Sequence, residues 1–120
     1  MTTSDLASSL STDAEERFPE VFATSRMIAL MELAAAQVLR PLLEEGQLSV
    51  GVTVDVTHLA PTSAGEIVSA TATYKGQDGK LFIFDVTAED GGGQIGRGTH
   101  QRAIISTTRL VEGAERRRRQ

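Results

Sequence analysis

The sequence predicts an α+β fold in which one long central helix is wrapped by a curved antiparallel β-sheet. Residues 24–43 repeat apolar side chains at three- and four-residue steps, which is the period of a helix. Residues 49–108 then contain four segments of alternating side chains, joined by short turns rich in glycine. A helix that is apolar around most of its circumference needs covering, and one curved sheet can cover it.

The composition limits the class of protein. With 120 residues, 40% of them hydrophobic, the chain can build one core. It has no cysteine and only two histidines, so we expect no disulfide, no metal site and no cofactor. A net charge of −4 argues against nucleic acid as a partner. The N-terminus lacks the signal-peptide pattern and no apolar run reaches the roughly 20 residues of a membrane span, so we expect a cytoplasmic protein without membrane contact.

The chain divides into three segments. Residues 1–14 are rich in Ser, Thr, Asp and Ala, and we expect them to be disordered. Residues 15–110 form the predicted folded domain. Residues 111–120 are expected to be a basic, disordered tail, because they end in the run Arg116–Arg119. An auxiliary contact of this tail with a polyanion is the alternative.

The predicted helix carries one carboxylate inside an apolar run. Thr24 or Ser25 is the expected N-cap, and Gly46 is expected to stop the helix. Glu32 stands between a methionine and a leucine. Either it lies on a narrow polar face of the helix, or it is partly removed from water and suited to acid–base or nucleophilic chemistry. The pattern alone leaves both interpretations open.

The first predicted strand, residues 49–57, alternates valine with small or polar side chains. One face is expected to carry Val50, Val52, Val54 and Val56. Gly51 falls on the opposite face, whereas His58 falls by parity on the valine face, toward the helix. A histidine there is either a core residue or a general base at a strand end. Two aromatic residues before the helix, Phe18 and Phe22, either pack the helix entry against the core or wall a pocket.

Five short motifs occur together between residues 18 and 106. They are Phe18-Pro19-Glu20-Val21-Phe22-Ala23-Thr24, Leu30-Met31-Glu32, Ser49-Val50-Gly51, Val56-Thr57-His58 with Ala60-Pro61-Thr62, and Ile95-Gly96 with Gly98-Thr99-His100 and Arg102. In this combination the chain resembles the hotdog fold. More specifically, it is similar to the fluoroacetyl-CoA thioesterase-like family of small acyl-CoA thioesterases.

The resemblance implies an activity and a set of site residues. The activity is hydrolysis of a small acyl-CoA thioester to the free acid and CoA, at the subunit interface of a homodimer or a dimer of dimers. The implied residues are catalytic Thr24, Glu32 and His58, and substrate-binding Gly51, Phe18, Phe22 and Arg102. Phe18 matches an aromatic residue of the lid that covers the pocket in the fluoroacetyl-specific member, but Glu15 stands three residues earlier. The acyl group is therefore left open.

Three questions stay open from the sequence. Glu32 can attack the thioester carbonyl itself, or it can orient water and His58. Similar groups serve a hotdog enoyl-CoA hydratase or dehydratase, or a non-catalytic protein that binds acyl-CoA. Finally, Thr24 and Glu32 are about 12 Å apart along an ideal helix. Either the chain bends before the helix begins, or a second subunit supplies one of the two.

Overall fold

The structure, a computed structural model, describes residues 22–119. The elements follow one another as α1 (Thr24–Leu39), a 3₁₀ turn (Arg40–Leu42), β1 (Gln47–His58), β2 (Ser69–Asp78), β3 (Leu81–Asp90), β4 (Gly93–Ser106) and α2 (Thr107–Arg118). The four strands form one antiparallel sheet in the order β1-β4-β3-β2, so that β1 and β2 are its edges. The predicted helix with four antiparallel strands is confirmed. A meander, in which each strand pairs with the next one along the chain, is not, because β1 pairs with β4 instead of β2. Within residues 22–119 no helix is long and apolar enough to cross a membrane.

Helix α1 packs one stripe of side chains against the sheet. The stripe repeats every four residues and consists of Met27, Met31, Ala35 and Leu39, all at most 1% exposed. These side chains join Phe84, Val86, Ala88 and Ile95 of the sheet in one core cluster. Residues further along the predicted helix leave this stripe because the 3₁₀ turn contains Pro41, which cannot donate a backbone hydrogen bond. Leu42, which lies in this turn, is 58% exposed.

The start of α1 differs from the prediction. Its N-cap is Ala23, which has no side chain able to accept a hydrogen bond, and neither Thr24 nor Ser25 takes that position. Thr24 is the first helical residue, and its hydroxyl group is engaged elsewhere, with His58. The prediction of a Thr24 or Ser25 cap is therefore wrong, because a tertiary contact takes the hydroxyl group.

Strand β1 contains a β-bulge that the alternation of valines hides. The register with β4 shifts between Gly51 and Thr53, so that Gly51 lies opposite Arg102 whereas Val54 lies opposite His100. Directly opposed residues project from the same face of a sheet. Gly51 and Val54 therefore both face α1, and the expected placement of Gly51 on the outer face is wrong. The bulge residue changes the parity of the strand.

The glycine-rich part of β4 allows α1 to approach the sheet closely. A Cβ at Gly96 would overlap the Met27 sulfur atom, so a larger residue would push the buried Met27 side chain aside. Gly96 lies opposite His58 at the end of β1. The glycine at this position permits the close approach of α1 to the strand.

Helix α2 replaces most of the predicted disordered tail. Residues 107–118 are helical, so the prediction of a disordered segment at 111–120 is wrong for residues 111–118. The Ser106 hydroxyl accepts the Arg109 N–H and caps the helix, while arginines in the last turn favour the negative end of the helix dipole. Arg118 also forms an ion pair with Glu115 at 3.0 Å. The helix is nevertheless exposed, with no buried residue.

A buried hydroxyl group fixes the loop after β1 to the end of β3. Thr62 is 1% exposed, and its Oγ1 donates to Asp90 Oδ2 at 2.7 Å. The Gly92 N–H donates to the other oxygen of Asp90 at 2.8 Å. These two hydrogen bonds, chiefly the one from Thr62, hold the pKa of Asp90 below its ordinary value of 3.8.

We expect Thr62→Val to destabilise the protein in a pH-dependent way. Because the folded-state pKa of Asp90 is lowered, its stabilisation is present above the unfolded pKa and is lost as pH falls through the folded pKa. The difference in free energy of unfolding between wild type and variant should therefore be full at neutral pH and shrink below about pH 4. Urea titrations at both pH values measure it. Thr71→Val, at an exposed position of β2, is the control. An equal difference at both pH values would assign the effect to packing instead.

Candidate active site

Five of the predicted site residues fall into two clusters. The first is the Thr24–His58 pair, where the first residue of α1 meets the last residue of β1. The second is the Glu32 cluster, which we define as Glu32, Ser49, Gly51, His100 and Arg102. It lies where the middle of α1 crosses β1 and β4.

The Thr24–His58 pair is a direct hydrogen bond. Thr24 Oγ1 and His58 Nδ1 are 2.8 Å apart. The other ring nitrogen, Nε2 of His58, is buried and has no hydrogen-bond partner among residues 22–119. A buried polar atom without a partner costs about 1–3 kcal/mol, and a catalytic role is one reason for which such an atom is retained. The expectation that His58 faces the helix is confirmed.

Glu32 faces a buried cation. Its Oε2 lies 3.7 Å from the NH1 nitrogen of Arg102, whose side chain is 8% exposed, whereas the Glu32 side chain is 41% exposed. Burial lowers the pKa of Arg102, and the negative charge of Glu32 opposes that shift. Glu32 is therefore neither an ordinary surface residue nor a fully buried one. It is partly screened from water and held beside a positive charge.

Two other residues of the Glu32 cluster fix the guanidinium group of Arg102. Its Nε donates to Ser49 Oγ at 3.1 Å, and its NH2 donates to the Ser49 carbonyl oxygen at 2.8 Å. Its NH1 lies 3.3 Å from Nε2 of His100, a side chain that is 1% exposed. The sequence motifs contain Ser49 and His100 but assign them no role at the site. The available signal was that His100 stands two residues before Arg102 on one strand, and so shares its face.

Gly51 leaves the space that this cluster occupies. A Cβ at this position would lie 3.1 Å from Glu32 Oε2 and 3.2 Å from His100 Cε1. A larger residue would therefore push either the carboxylate or the imidazole aside. The bulge in β1 turns Gly51 toward α1, and the absence of a side chain keeps its backbone close to Glu32.

The two clusters lie apart within one chain. Thr24 belongs to α1 itself, so the chain does not bend between Thr24 and Glu32, and their separation along the helix is about 12 Å. Along β1, His58 lies seven positions after Gly51, which amounts to about 23 Å. The bend considered as one of the two explanations is therefore excluded.

Comparison with known proteins decides the family. The family model described as fluoroacetyl-CoA-specific thioesterase, FlK, matches residues 2–108 of this chain. The chain belongs to this family. The curated fluoroacetyl-CoA thioesterase of Streptantibioticus cattleyicolor is 46% identical over 88 residues, which are 73% of this chain and 63% of that protein. The chain thus spans less than two thirds of the length of this curated relative.

Solved structures agree with the fluoroacetyl-CoA-specific thioesterase family and with the fold. A structure of the fluoroacetyl-CoA thioesterase FlK superposes with a TM-score of 0.87 at 37% identity, covering 95% of this chain and 86% of that one. A hot-dog-like protein from Thermanaerovibrio acidaminovorans superposes with a TM-score of 0.81 at 29% identity, covering 97% and 83%. The hotdog fold and the family expected from the sequence motifs are confirmed.

The two aromatic residues expected in the family's substrate pocket have different outcomes. Phe18 lies outside the described residues. Phe22 is 2% exposed and belongs to the core cluster, and its N–H donates to the Thr62 carbonyl oxygen. Its position agrees with the interpretation that it packs the helix entry, while its contact with substrate stays a prediction. Among residues 22–119, no group of three or more His, Asp or Glu side chains could hold a metal ion.

Proposed function

We propose that the protein hydrolyses a small acyl-CoA thioester to the free acid and CoA. The observation that carries the proposal is the imidazole of His58, bonded through Nδ1 to Thr24 and buried without a partner at Nε2 among residues 22–119. Membership of the fluoroacetyl-CoA-specific thioesterase family supports a thioester as the substrate. Glu32 and Gly51 supply the carboxylate and the backbone amide that such a reaction needs.

His58 is the general base in this proposal. When its Nδ1–H donates to Thr24 Oγ1, Nε2 presents a lone pair, which can accept a proton from water. The water oxygen then bonds to the thioester carbon, and negative charge develops on the carbonyl oxygen. A backbone N–H aimed at that oxygen, supplied here by Gly51, is worth about 3 kcal/mol. The C–S bond breaks, and the CoA sulfur takes the proton from His58.

Glu32 serves this reaction in one of two ways. In the first route it orients the attacking water, which His58 deprotonates. In the second route a Glu32 oxygen bonds to the thioester carbon and expels CoA, and water then hydrolyses the resulting anhydride. Both routes require the carboxylate beside Gly51. Arg102 NH1, 3.7 Å from that carboxylate, fixes its direction.

We propose further that the site forms between two copies of the chain. Strand β1 is a sheet edge with five consecutive exposed residues, 51–55, including Val52 at 51% and Val54 at 40% exposure. An open edge of this kind pairs readily with a second strand. The midpoint between Gly51 and His58 lies at Val54 and the next residue. A two-fold axis through this midpoint pairs the two β1 strands antiparallel. It places the Gly51 end of one strand beside the His58 end of the other.

This arrangement supplies complete sites. The Glu32 cluster of one subunit meets the Thr24–His58 pair of its partner, so a dimer contains two sites. Within one chain the two clusters are about 23 Å apart along β1, whereas in the dimer each cluster lies beside the complementary cluster of the partner. Light scattering should show a dimer or a dimer of dimers. A monomer at micromolar concentration would contradict the shared site.

A panel of short acyl-CoA esters tests the activity. We expect release of free CoA, detected with a thiol reagent, for at least one small acyl group. The same panel should include an enoyl-CoA followed by its absorbance. Loss of that absorbance without thiol release would indicate a hydratase. Calorimetric binding with neither reaction would indicate a protein that only holds acyl-CoA.

A further inference from the structure

The imidazole of His100 on β4 is buried with both ring nitrogens engaged. It lies on β4 opposite Val54 and Phe84, and its exposed fraction is 1%. Nδ1 lies 2.7 Å from the carbonyl oxygen of Thr53. A carbonyl oxygen only accepts hydrogen bonds, so Nδ1 carries a proton.

The second nitrogen of His100 has the opposite role. Nε2 lies 3.3 Å from NH1 of Arg102, and a guanidinium group only donates. Nε2 must therefore present a lone pair. The two contacts together are satisfied by one form of the ring, the neutral tautomer protonated at Nδ1. A second proton on the ring would point directly at the Arg102 cation.

His100 contacts NH1 of Arg102, the same guanidinium nitrogen that faces Glu32. Ser49 accepts from Nε and NH2 of Arg102, and these bonds fix one side of the guanidinium group. NH1 is held by His100 and lies 3.7 Å from Glu32 Oε2. We propose that His100 is a positioning residue for thioester cleavage, which aims Arg102 NH1 at Glu32 and so sets the carboxylate beside Gly51. This inference rests on the proposed function.

The β1 bulge connects this chain of contacts to the backbone. Thr53, the acceptor for His100, is the first residue paired with β4 after the bulge, and Gly51 is the last one before it. One irregularity thus turns Gly51 toward Glu32 and presents the carbonyl oxygen that fixes the His100 tautomer. The ring and the carboxylate also share the space that a side chain at Gly51 would fill.

We expect His100→Leu to lower kcat by about 10–100-fold with little change in KM, because a misdirected catalytic group loses rate while His100 itself does not touch substrate. His100→Gln should recover much of that rate, since a Gln amide can donate to Thr53 and accept from Arg102. In a Glu32→Gln background, His100→Leu should cause no further loss of kcat, because both changes act through one carboxylate.

The outcomes separate this inference from the proposed function. If Glu32→Gln alone leaves kcat unchanged, the proposed function fails. If Glu32→Gln is severe while His100→Leu is silent, or if the two losses multiply, the positioning role is wrong. Phe84→Leu is the control for stability, since it alters the buried residue opposite His100 without removing a polar contact. A kcat loss in His100→Leu that Phe84→Leu reproduces at equal loss of melting temperature would also overturn the inference.

The tautomer can be tested in the unaltered protein, which covers the case in which the leucine variant does not fold. Nitrogen NMR of the imidazole rings reports which nitrogen carries the proton, and the chain has only two histidines to assign. We expect His100 to be protonated at Nδ1 alone. A ring protonated at Nε2 could not accept from Arg102, and that result would overturn the proposal.

Discussion

Glu32→Gln should remove most of the turnover while leaving the fold and acyl-CoA binding intact. Gln keeps the volume of the side chain and can still face Arg102 NH1 through its amide oxygen, but it has no charge and cannot act as a nucleophile or base. We expect kcat to fall by about 10²–10⁴-fold, the usual contribution of an acid–base group. Steady-state kinetics with a thiol reagent measures kcat, and calorimetry with a non-hydrolysable acyl-CoA thioether measures binding.

The matched control for this variant is Glu45→Gln. It makes the same change of charge and volume at an exposed turn between α1 and β1, outside both clusters. Its kinetics should equal those of wild type. A Glu32→Gln protein with wild-type kinetics would contradict both catalytic routes, and the hotdog fold would stand regardless.

The alternating pattern of β1 predicted the strand and the direction of His58, but not the bulge. Valines continue at every second position through Val52, so the local sequence shows no interruption. The bulge exists in the pairing with β4, where Gly51 meets Arg102 and Thr53 meets Gln101. It is a property of two strands about 50 residues apart. A single-strand pattern could not place Gly51 on the face of Glu32.

Side-chain periodicity and turn residues were sufficient to predict the order of α1 and the four strands, because each signal is local. The role of His100 depends on its contacts with Thr53 and Arg102. Thr53 is on the neighbouring strand β1, and Arg102 becomes a fixed partner only because the fold buries it. No local pattern distinguishes such a histidine from a core residue.

Helix α2 was missed for a different reason. The run of arginines favoured a disordered tail. The cap at Ser106 and the Glu115–Arg118 pair, which are also local, favour a helix.

Mixing two inactive variants should restore activity if the site is shared between subunits. His58→Ala is expected to lose about 10²–10⁴-fold in kcat, as Glu32→Gln does. In a mixed dimer, one site combines the intact Glu32 of the His58→Ala chain with the intact His58 of the Glu32→Gln chain. The other site carries both changes. With random assembly about half of the dimers are mixed, so total activity should reach about a quarter of that of wild type.

The control for this experiment replaces His58→Ala with the double variant Glu32→Gln/His58→Ala. Mixed with the Glu32→Gln protein, it contributes no intact Glu32, so no complete site can form and no activity should return. Both mixtures are folded and exchanged under the same conditions. They differ only in whether one of the two chains carries an intact Glu32. If the first mixture also stays inactive while light scattering confirms exchanged dimers, Glu32 and His58 act from the same chain. Glu32 would then have to reach His58 of its own chain by a movement of α1 against β1. Gly51 could not take part, since about 23 Å of strand separates it from His58.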